Sequence, residues 1–224
     1  MENFRKLASV ALLAGTLAGL LLFFVQHFTT FPLIQKAEVY ESAAEQASPH
    51  AGHEDEGWHP SEGTERTIYT AVATILVAIG FSALLFGIAS LASLSLDWRR
   101  GILLGIGAFL CVDLAPAFGL PPAPPGAAVA DLSSRQIWWV ATVAATALGL
   151  WLIFGRSRSI WWRLFGVIAL ILPHIIGAPV AMGQNVVPAE LMHQFAATSI
   201  LTGALFWITL GLIGGFFFQR IQSE

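Results

Sequence analysis

Charge and cysteine are scarce in this sequence of 224 residues. Only 11% of its residues are charged, whereas a soluble domain carries about a quarter. The single cysteine, Cys111, allows no disulfide within the chain and indicates no particular redox compartment. Because the net charge is −3 and no basic stripe occurs, nucleic acid is not expected as a partner.

The sequence also lacks the common motifs of catalysis. It has no glycine-rich phosphate loop, no dinucleotide-binding glycines, no nucleophile elbow and no HExxH zinc motif. It offers no recognisable pair of nucleophile and base either. These absences argue against an enzyme, and no cofactor is expected.

In place of charge, the sequence has long apolar runs. Hydrophobic residues make up 56% of the chain, and crossing a membrane takes about 20 consecutive apolar residues. Six runs qualify, at about 7–30, 67–94, 101–119, 136–155, 160–180 and 194–218. The first follows two basic residues but is longer than a signal-peptide core, so we expect it to be retained. The runs predict an all-α, polytopic integral membrane protein with about six transmembrane helices, in one membrane domain over residues 1–224.

The lysines and arginines predict which ends of these helices face the cytoplasm. With a cytoplasmic N-terminus, the inner segments hold eight of them: Arg5, Lys6, Arg99, Arg100, Arg156, Arg158, Arg163 and Arg220. The outer segments hold three: Lys36, Arg66 and Arg135. Because cytoplasmic loops carry the excess of Lys and Arg, we predict an even number of helices and cytoplasmic termini at both ends.

The predicted outer segments differ in composition from the short, basic inner loops. Residues 31–66 form an acidic, histidine-containing periplasmic segment, and residues 120–135 form a proline-rich periplasmic loop. Four prolines in that loop favour a stiff polyproline-like path. Within the acidic segment, "IQKAEVYESAAEQA" at 34–47 has helical propensity, so the first helix is expected to continue beyond the membrane.

Histidines accompany carboxylates in the first outer segment. The stretch "PHAGHEDEGWHPSEGTER" places His50, His53 and His59 among Asp and Glu residues. Imidazole beside carboxylate is a ligand set for divalent transition-metal ions. The spacing is not that of a tetrahedral Cys/His zinc site, so the functional interpretation is a weak, flexible metal collector. The other interpretation is a solvated acidic loop whose histidines are incidental.

Two ionisable residues lie inside the predicted spans. Asp113 in "FLCVDLAPAFG" is the only acid within a membrane run, and a charge there costs about 3 kcal/mol on insertion scales. His174 in "LILPHIIGAP" directly follows Pro173. Prolines near both residues are expected to free backbone carbonyls near Val112 and Ala169, and interrupted helices at membrane depth often line a pathway. The alternatives are an interfacial acid that snorkels to water and a packing histidine.

Glu190 and His193 in "PAELMH" are three residues apart, so they share one face if this segment is helical. Other features are interpreted as structural. Gly15 and Gly19, and the glycines of "GLIGG" at 211–215, are interpreted as helix-packing faces. The paired tryptophans are interpreted as anchors at the membrane interfaces: Trp138, Trp139, Trp161 and Trp162.

The motifs, taken in their order along the chain, resemble one known family. "PLIQKAEVYE" follows the first helix, "WHPSEGTERT" leads into the second and "APAFGLPPAPPG" leaves the third. "SSRQIWW" leads into the fourth helix, "LPHIIGAP" lies in the fifth and "VPAEL" precedes the sixth. Together these stretches cover nearly the whole chain and resemble the CbtA family of predicted bacterial cobalt transporter subunits.

This resemblance implies cobalt uptake across the bacterial inner membrane, linked to cobalamin synthesis, together with CbtB, a small single-helix subunit that bears histidines. His174 falls on the family's PHxxGAP pattern and Glu190 on its VPAEL. The family commonly has another residue where His59 stands. Descriptions of the family often give five transmembrane helices, whereas the basic residues of this chain favour six.

The leading hypothesis is a permease, or the membrane subunit of one, that takes up a divalent transition metal from the periplasm, with Co²⁺ as its substrate. The predicted metal ligands are Asp113, His174, Glu190, His193, His59, His50 and His53. The alternative is a membrane protein that binds metal as an accessory or sensor and does not conduct. The ligand types permit Co²⁺, Ni²⁺ and Zn²⁺ alike.

Overall fold

The computed structural model describes residues 2–47, 60–61, 63–155 and 159–222, and within these ranges the chain is helical and has no strand. The helices are α1 (Glu2–Phe28), α2 (Thr30–Ala47), α3 (Thr64–Leu91), α4 (Trp98–Phe109), α5 (Ala115–Ala117), α6 (Leu132–Phe154), α7 (Ile160–Ile176) and α8 (Ala189–Gln222). A π-helical turn, Leu110–Leu114, joins α4 to α5. The predicted all-α fold class is confirmed.

Most of these helices have the dimensions of membrane spans. In the described part of the chain, five are long and apolar enough to cross a membrane, when α4, the π turn and α5 count as one. α7 has 17 residues, at the lower end of the range of about 17–25 residues for transmembrane helices. Many large apolar side chains on the helices are exposed, as expected of surfaces that contact lipid. The polytopic membrane fold is confirmed.

α7 returns to the side from which α6 starts. The two helices pack closely, since a Cβ atom at Gly149 would lie 2.8 Å from the carbonyl oxygen of Gly166. At the other end of this hairpin, a Cβ atom at Gly119 would lie 2.7 Å from Trp138 Cζ2 and 2.9 Å from Ala178 Cβ. Because Trp138 follows the start of α6 and Ala178 follows the end of α7, α7 traverses the same layer as α6 in the opposite direction. This arrangement supports the sixth predicted span.

Several boundaries differ from the sequence prediction. The fifth run was expected to reach residue 180, but α7 ends at Ile176 because Gly177 adopts φ +89° and its N–H donates to the Pro173 carbonyl at 3.0 Å. Pro173 therefore does not end the helix, which continues for one more turn. α8 begins at Ala189, five residues before the predicted start at 194.

The first helix does continue beyond the predicted span, as expected from the propensity of 34–47. α1 and α2 are separated only by Thr29. Pro32, in the first turn of α2, has no N–H to donate to the carbonyl of Phe28, which explains the interruption. At the break, the Thr29 N–H donates to the carbonyl of Gln26 at 3.2 Å, and the Thr29 hydroxyl donates to the carbonyl of Val25 at 2.7 Å.

The described chain divides into two compact units. The first takes in the described residues of Met1–Pro32, Glu45–Ile106 and Thr202–Glu224, and the second those of Leu33–Ala44 and Gly107–Leu201. In the first unit, a Cβ atom at Gly15 would lie 2.5 Å from the backbone of Ile79 in α3, and Gly211 of α8 contacts the backbone of Gly101 in α4. Both predicted glycine packing faces therefore exist, and they hold α1 against α3 and α4 against α8.

In the second unit, three segments predicted to lie outside the membrane come together. We call them the outer layer: residues 33–44 of α2, residues 120–131 and residues 181–188. Ala37 packs against Val187, which is also buried. The side-chain oxygen of Asn185 accepts a hydrogen bond from the Ala128 N–H at 2.8 Å, and a Cβ atom at Gly126 would lie 3.1 Å from Glu41 Cβ. The three segments therefore share one side of this unit, as the predicted alternation of helices requires.

Candidate metal-binding site

Asp113 lies in the π-helical turn, four residues before the end of the span Trp98–Ala117 that α4, this turn and α5 form. Pro116 follows three residues later and cannot donate a backbone hydrogen bond to the carbonyl of Val112. The indole N–H of Trp139, from α6, donates to that carbonyl at 3.2 Å. The freed carbonyl that the sequence predicts therefore exists, and it joins the π turn to α6. Single π turns are frequent at functional sites.

His174 lies near the end of α7 and is half-buried between aromatic rings. Its ring centre is 6.0 Å from that of Trp138 and 6.1 Å from that of Phe118, with interplanar angles of 71° and 85°. Edge-to-face packing of this kind fixes the orientation of a ring and excludes water from its sides. The imidazole is therefore held in place by its neighbours.

α6 connects the two segments that carry these predicted ligands. Its consecutive residues Trp138 and Trp139 contact the ring of His174 and the carbonyl of Val112, next to Asp113. The interpretation of Trp138 as an interfacial anchor is wrong, since its side chain is only 8% exposed. The other pair fits that interpretation better, because Trp161 and Trp162 are largely exposed at the start of α7.

Glu190 and His193 lie in the first turns of α8 and are both exposed. The predicted helical spacing is correct, so the two residues lie on one side of α8. The amide of Gln194 donates to Glu190 Oε1 at 3.0 Å. Leu191, between them, packs into the outer layer against Ala37, which leaves Glu190 and His193 beside that layer rather than within its core.

The described residues contain no group of three or more His, Cys, Asp or Glu side chains that could hold a metal ion. Asp113, His174, Glu190 and His193 all belong to the second unit, but they do not form one cluster there. His50, His53 and His59 lie outside the described residues. Asp113 and His174, which α6 links, therefore remain the predicted pair within the span, and Glu190 with His193 remain a second, exposed pair.

The motifs in the sequence are matched by a family model. The model described as "Probable cobalt transporter subunit (CbtA)" matches residues 4–219. The chain belongs to the CbtA family. No curated protein and no solved structure matches the chain. The description of the family suggests a cobalt transporter subunit, and a subunit acts with at least one partner.

In this CbtA family member, the sequence interpretation missed a polar face on α6. Trp138, Thr142 and Thr146 recur at every fourth residue and are 8%, 0% and 3% exposed. The spacing in "WWVATVAATALG" could have revealed them, because residues four apart share one face of a helix. They were overlooked because Trp138 was assigned to the membrane interface and the threonines carry no charge.

Proposed function

We propose that this chain is the membrane subunit of an uptake system that moves Co²⁺ from the periplasm into the cytoplasm across the bacterial inner membrane. Both termini lie in the cytoplasm in this proposal, and the outer layer faces the periplasm. The system serves cobalamin synthesis and includes a small single-helix subunit of the CbtB type that bears histidines. Co²⁺ is the substrate and no cofactor takes part.

The observation that carries this proposal is the position of Asp113. A carboxylate within a transmembrane span is costly to insert, by about 3 kcal/mol at the centre of the membrane and less towards its surface, so a functional reason for it is expected. α6 contacts the segments that carry both predicted ligands, since Trp138 packs against the ring of His174 and Trp139 donates to the carbonyl of Val112. One carboxylate and one imidazole supply mixed oxygen and nitrogen ligands, which suit a borderline dication such as Co²⁺. A site with few ligands also releases the ion readily, as transport requires.

The direction of transport follows from the predicted orientation and the charge of the substrate. Within the second unit, Arg163 lies near the start of α7, at the end of that helix away from the outer layer. The positive-inside rule places such ends in the cytoplasm. A dication that moves into a cell with an inside-negative potential of 100 mV gains about 4.6 kcal/mol, so uptake needs no nucleotide hydrolysis.

The approach to the site starts at the outer layer. Glu190 and His193 are exposed at the start of α8, and His50, His53 and His59 belong to the acidic segment that precedes α3. These side chains collect hydrated metal weakly at the periplasmic surface in our proposal. Asp113 and His174 then bind the partly dehydrated ion within the span.

Metal flux into liposomes tests the proposal directly. Purified protein should give Co²⁺ influx that rises with an inside-negative potential, since the potential drives the dication inward, and the small partner should increase the rate. Influx is followed with an entrapped metal indicator, and protein-free liposomes give the background. Ni²⁺ and Zn²⁺ in parallel establish the preferred substrate. Binding of metal without flux, with and without the partner, would instead support the non-conducting accessory or sensor.

Replacing His50 and His53 together by Ala should lower uptake only when metal is scarce. A flexible collector raises the local concentration of substrate without altering the rate-limiting site, so the KM should rise several-fold while the maximum rate stays within a factor of about two. The measurement is the concentration dependence of Co²⁺ influx, with Gln46→Ala at the end of α2 as control. A lost maximum rate at normal protein levels would place these histidines in the transport pathway itself.

A further inference from the structure

The buried polar face of α6 contains a hydroxyl for which the described part of the chain offers no hydrogen-bond partner. Several hydroxyls in the helices donate to the carbonyl four residues back, and Thr142 Oγ1 does so to Trp138 at 2.8 Å. Thr29 and Thr70 behave in the same way. Within the described residues, Thr146 Oγ1 has no hydrogen-bond partner, although the side chain is only 3% exposed.

Such a group is unusual inside a membrane span. Buried hydroxyls are nearly always hydrogen-bonded, because neither lipid nor an apolar protein interior replaces the lost water. A threonine in a helix can satisfy itself through its own backbone, as Thr142 does one turn earlier on the same face. Thr146 has the same option and does not take it. Its two oxygen lone pairs and its proton therefore remain available to a ligand.

The position of Thr146 on α6 relates this hydroxyl to the π turn that carries Asp113. Trp139 and Thr146 are seven residues apart, so they lie on the same edge of the helix, about 10 Å apart along its axis. Trp139 uses this edge to reach the carbonyl of Val112 in the π turn, and α6 packs against that turn. Gly149, three residues after Thr146 and so on a neighbouring part of the same face, packs against α7 through Gly166. Thr146 thus lies between the side of α6 that packs against α7 and the edge that meets the π turn, further from the outer layer than Trp139.

We infer that Thr146 is part of the substrate path, on the cytoplasmic side of the Asp113 site, and that it binds a divalent cation that is still partly hydrated. This inference rests on the proposed function. Water bound to a dication is a strong hydrogen-bond donor, and the Thr146 hydroxyl accepts from it. A neutral oxygen holds the hydrated ion weakly, so the ion leaves Asp113 without entering a second tight site.

Removing the hydroxyl while keeping the volume tests the inference. Thr146→Val should lower Co²⁺ influx into proteoliposomes at least tenfold, whereas the melting temperature in detergent should stay unchanged or rise, because a buried polar group without a partner is lost. Thr146→Ser retains the hydroxyl and should restore at least half of the flux. Thermal unfolding and flux are measured on the same preparations.

Ser82 provides a matched control. Its hydroxyl is likewise buried and, within the described residues, without a partner. It lies in the first unit, on α3, where no charged residue follows Arg66. Ser82→Ala should therefore have the same small effect on the melting temperature as Thr146→Val and leave Co²⁺ influx unchanged.

The outcomes separate this inference from the proposed function. Flux through Thr146→Val equal to that of the wild type, or a Thr146→Ser variant as inactive as Thr146→Val, would overturn the role of the hydroxyl and leave the proposed function standing. A wild-type protein that gives no flux with or without its partner would overturn the proposed function, and the inference with it. An equal loss of flux in Ser82→Ala would show a general packing effect and overturn the inference alone.

Discussion

Co²⁺ influx through the Asp113→Asn variant is expected to fall to the background of protein-free liposomes. Asn keeps the volume of the side chain and removes its charge. A dication about 4 Å from a carboxylate is attracted by about 8 kcal/mol at an effective dielectric constant of about 20. Loss of half of that attraction at the barrier slows transport about a thousandfold. The variant should insert and fold normally, since a neutral residue is less costly in a span than an acid.

Asp131→Asn is the matched control for loss of charge. Asp131 caps α6, where Ser133 and Ser134 donate hydrogen bonds to its carboxylate and lower its pKa below the usual value. Asn is an equally good cap, and this residue lies outside the spans. Transport should therefore be unchanged. Normal transport through Asp113→Asn, together with normal transport through Asp131→Asn, would identify Asp113 as an interfacial acid and remove the proposed site from the span.

The sequence predicted the helices well because their signal is local. A run of apolar residues long enough to cross a membrane has few other structural solutions, and the glycines at 15 and 19 lie in the packing face that their spacing predicts. The helical propensity of 34–47 likewise agrees with α2. In each case the deciding interactions are between residues close in the chain, or between the chain and lipid.

The site was less predictable because its geometry depends on where helices begin. The fourth span was expected from residue 136, but Asp131 caps α6 five residues earlier. That shift places Trp138 two turns inside the helix, where it packs on Gly119 and His174 instead of anchoring at the interface. The π turn at Asp113 and the hydrogen bond from Trp139 to Val112 depend on contacts between helices, which periodicity alone does not specify.

Two substitutions of His174 should both lower Co²⁺ influx at least tenfold. We expect them to differ in their effect on the melting temperature. His174→Phe keeps an aromatic ring against Trp138 and Phe118, so the melting temperature should stay near that of the wild type. His174→Gln keeps a polar group but loses the ring contacts, which are worth about 0.5–1.5 kcal/mol per pair, so its melting temperature should fall. Neither variant retains the imidazole that would bind the metal.

The two variants show whether His174 is a metal ligand or a packing residue, because the two roles predict different rates of Co²⁺ transport for His174→Phe. If His174 serves only to fill the space between its aromatic neighbours, His174→Phe transports Co²⁺ normally and His174→Gln is the impaired variant. His27→Phe is the control, since the ring of His27 also packs against aromatic rings, with its centre 5.2 Å from that of Phe28 and 5.8 Å from that of Phe31. It belongs to the first unit, so its transport should equal that of the wild type. Full activity of His174→Phe would leave Asp113 without its imidazole partner and reduce the proposed intramembrane site to a single carboxylate.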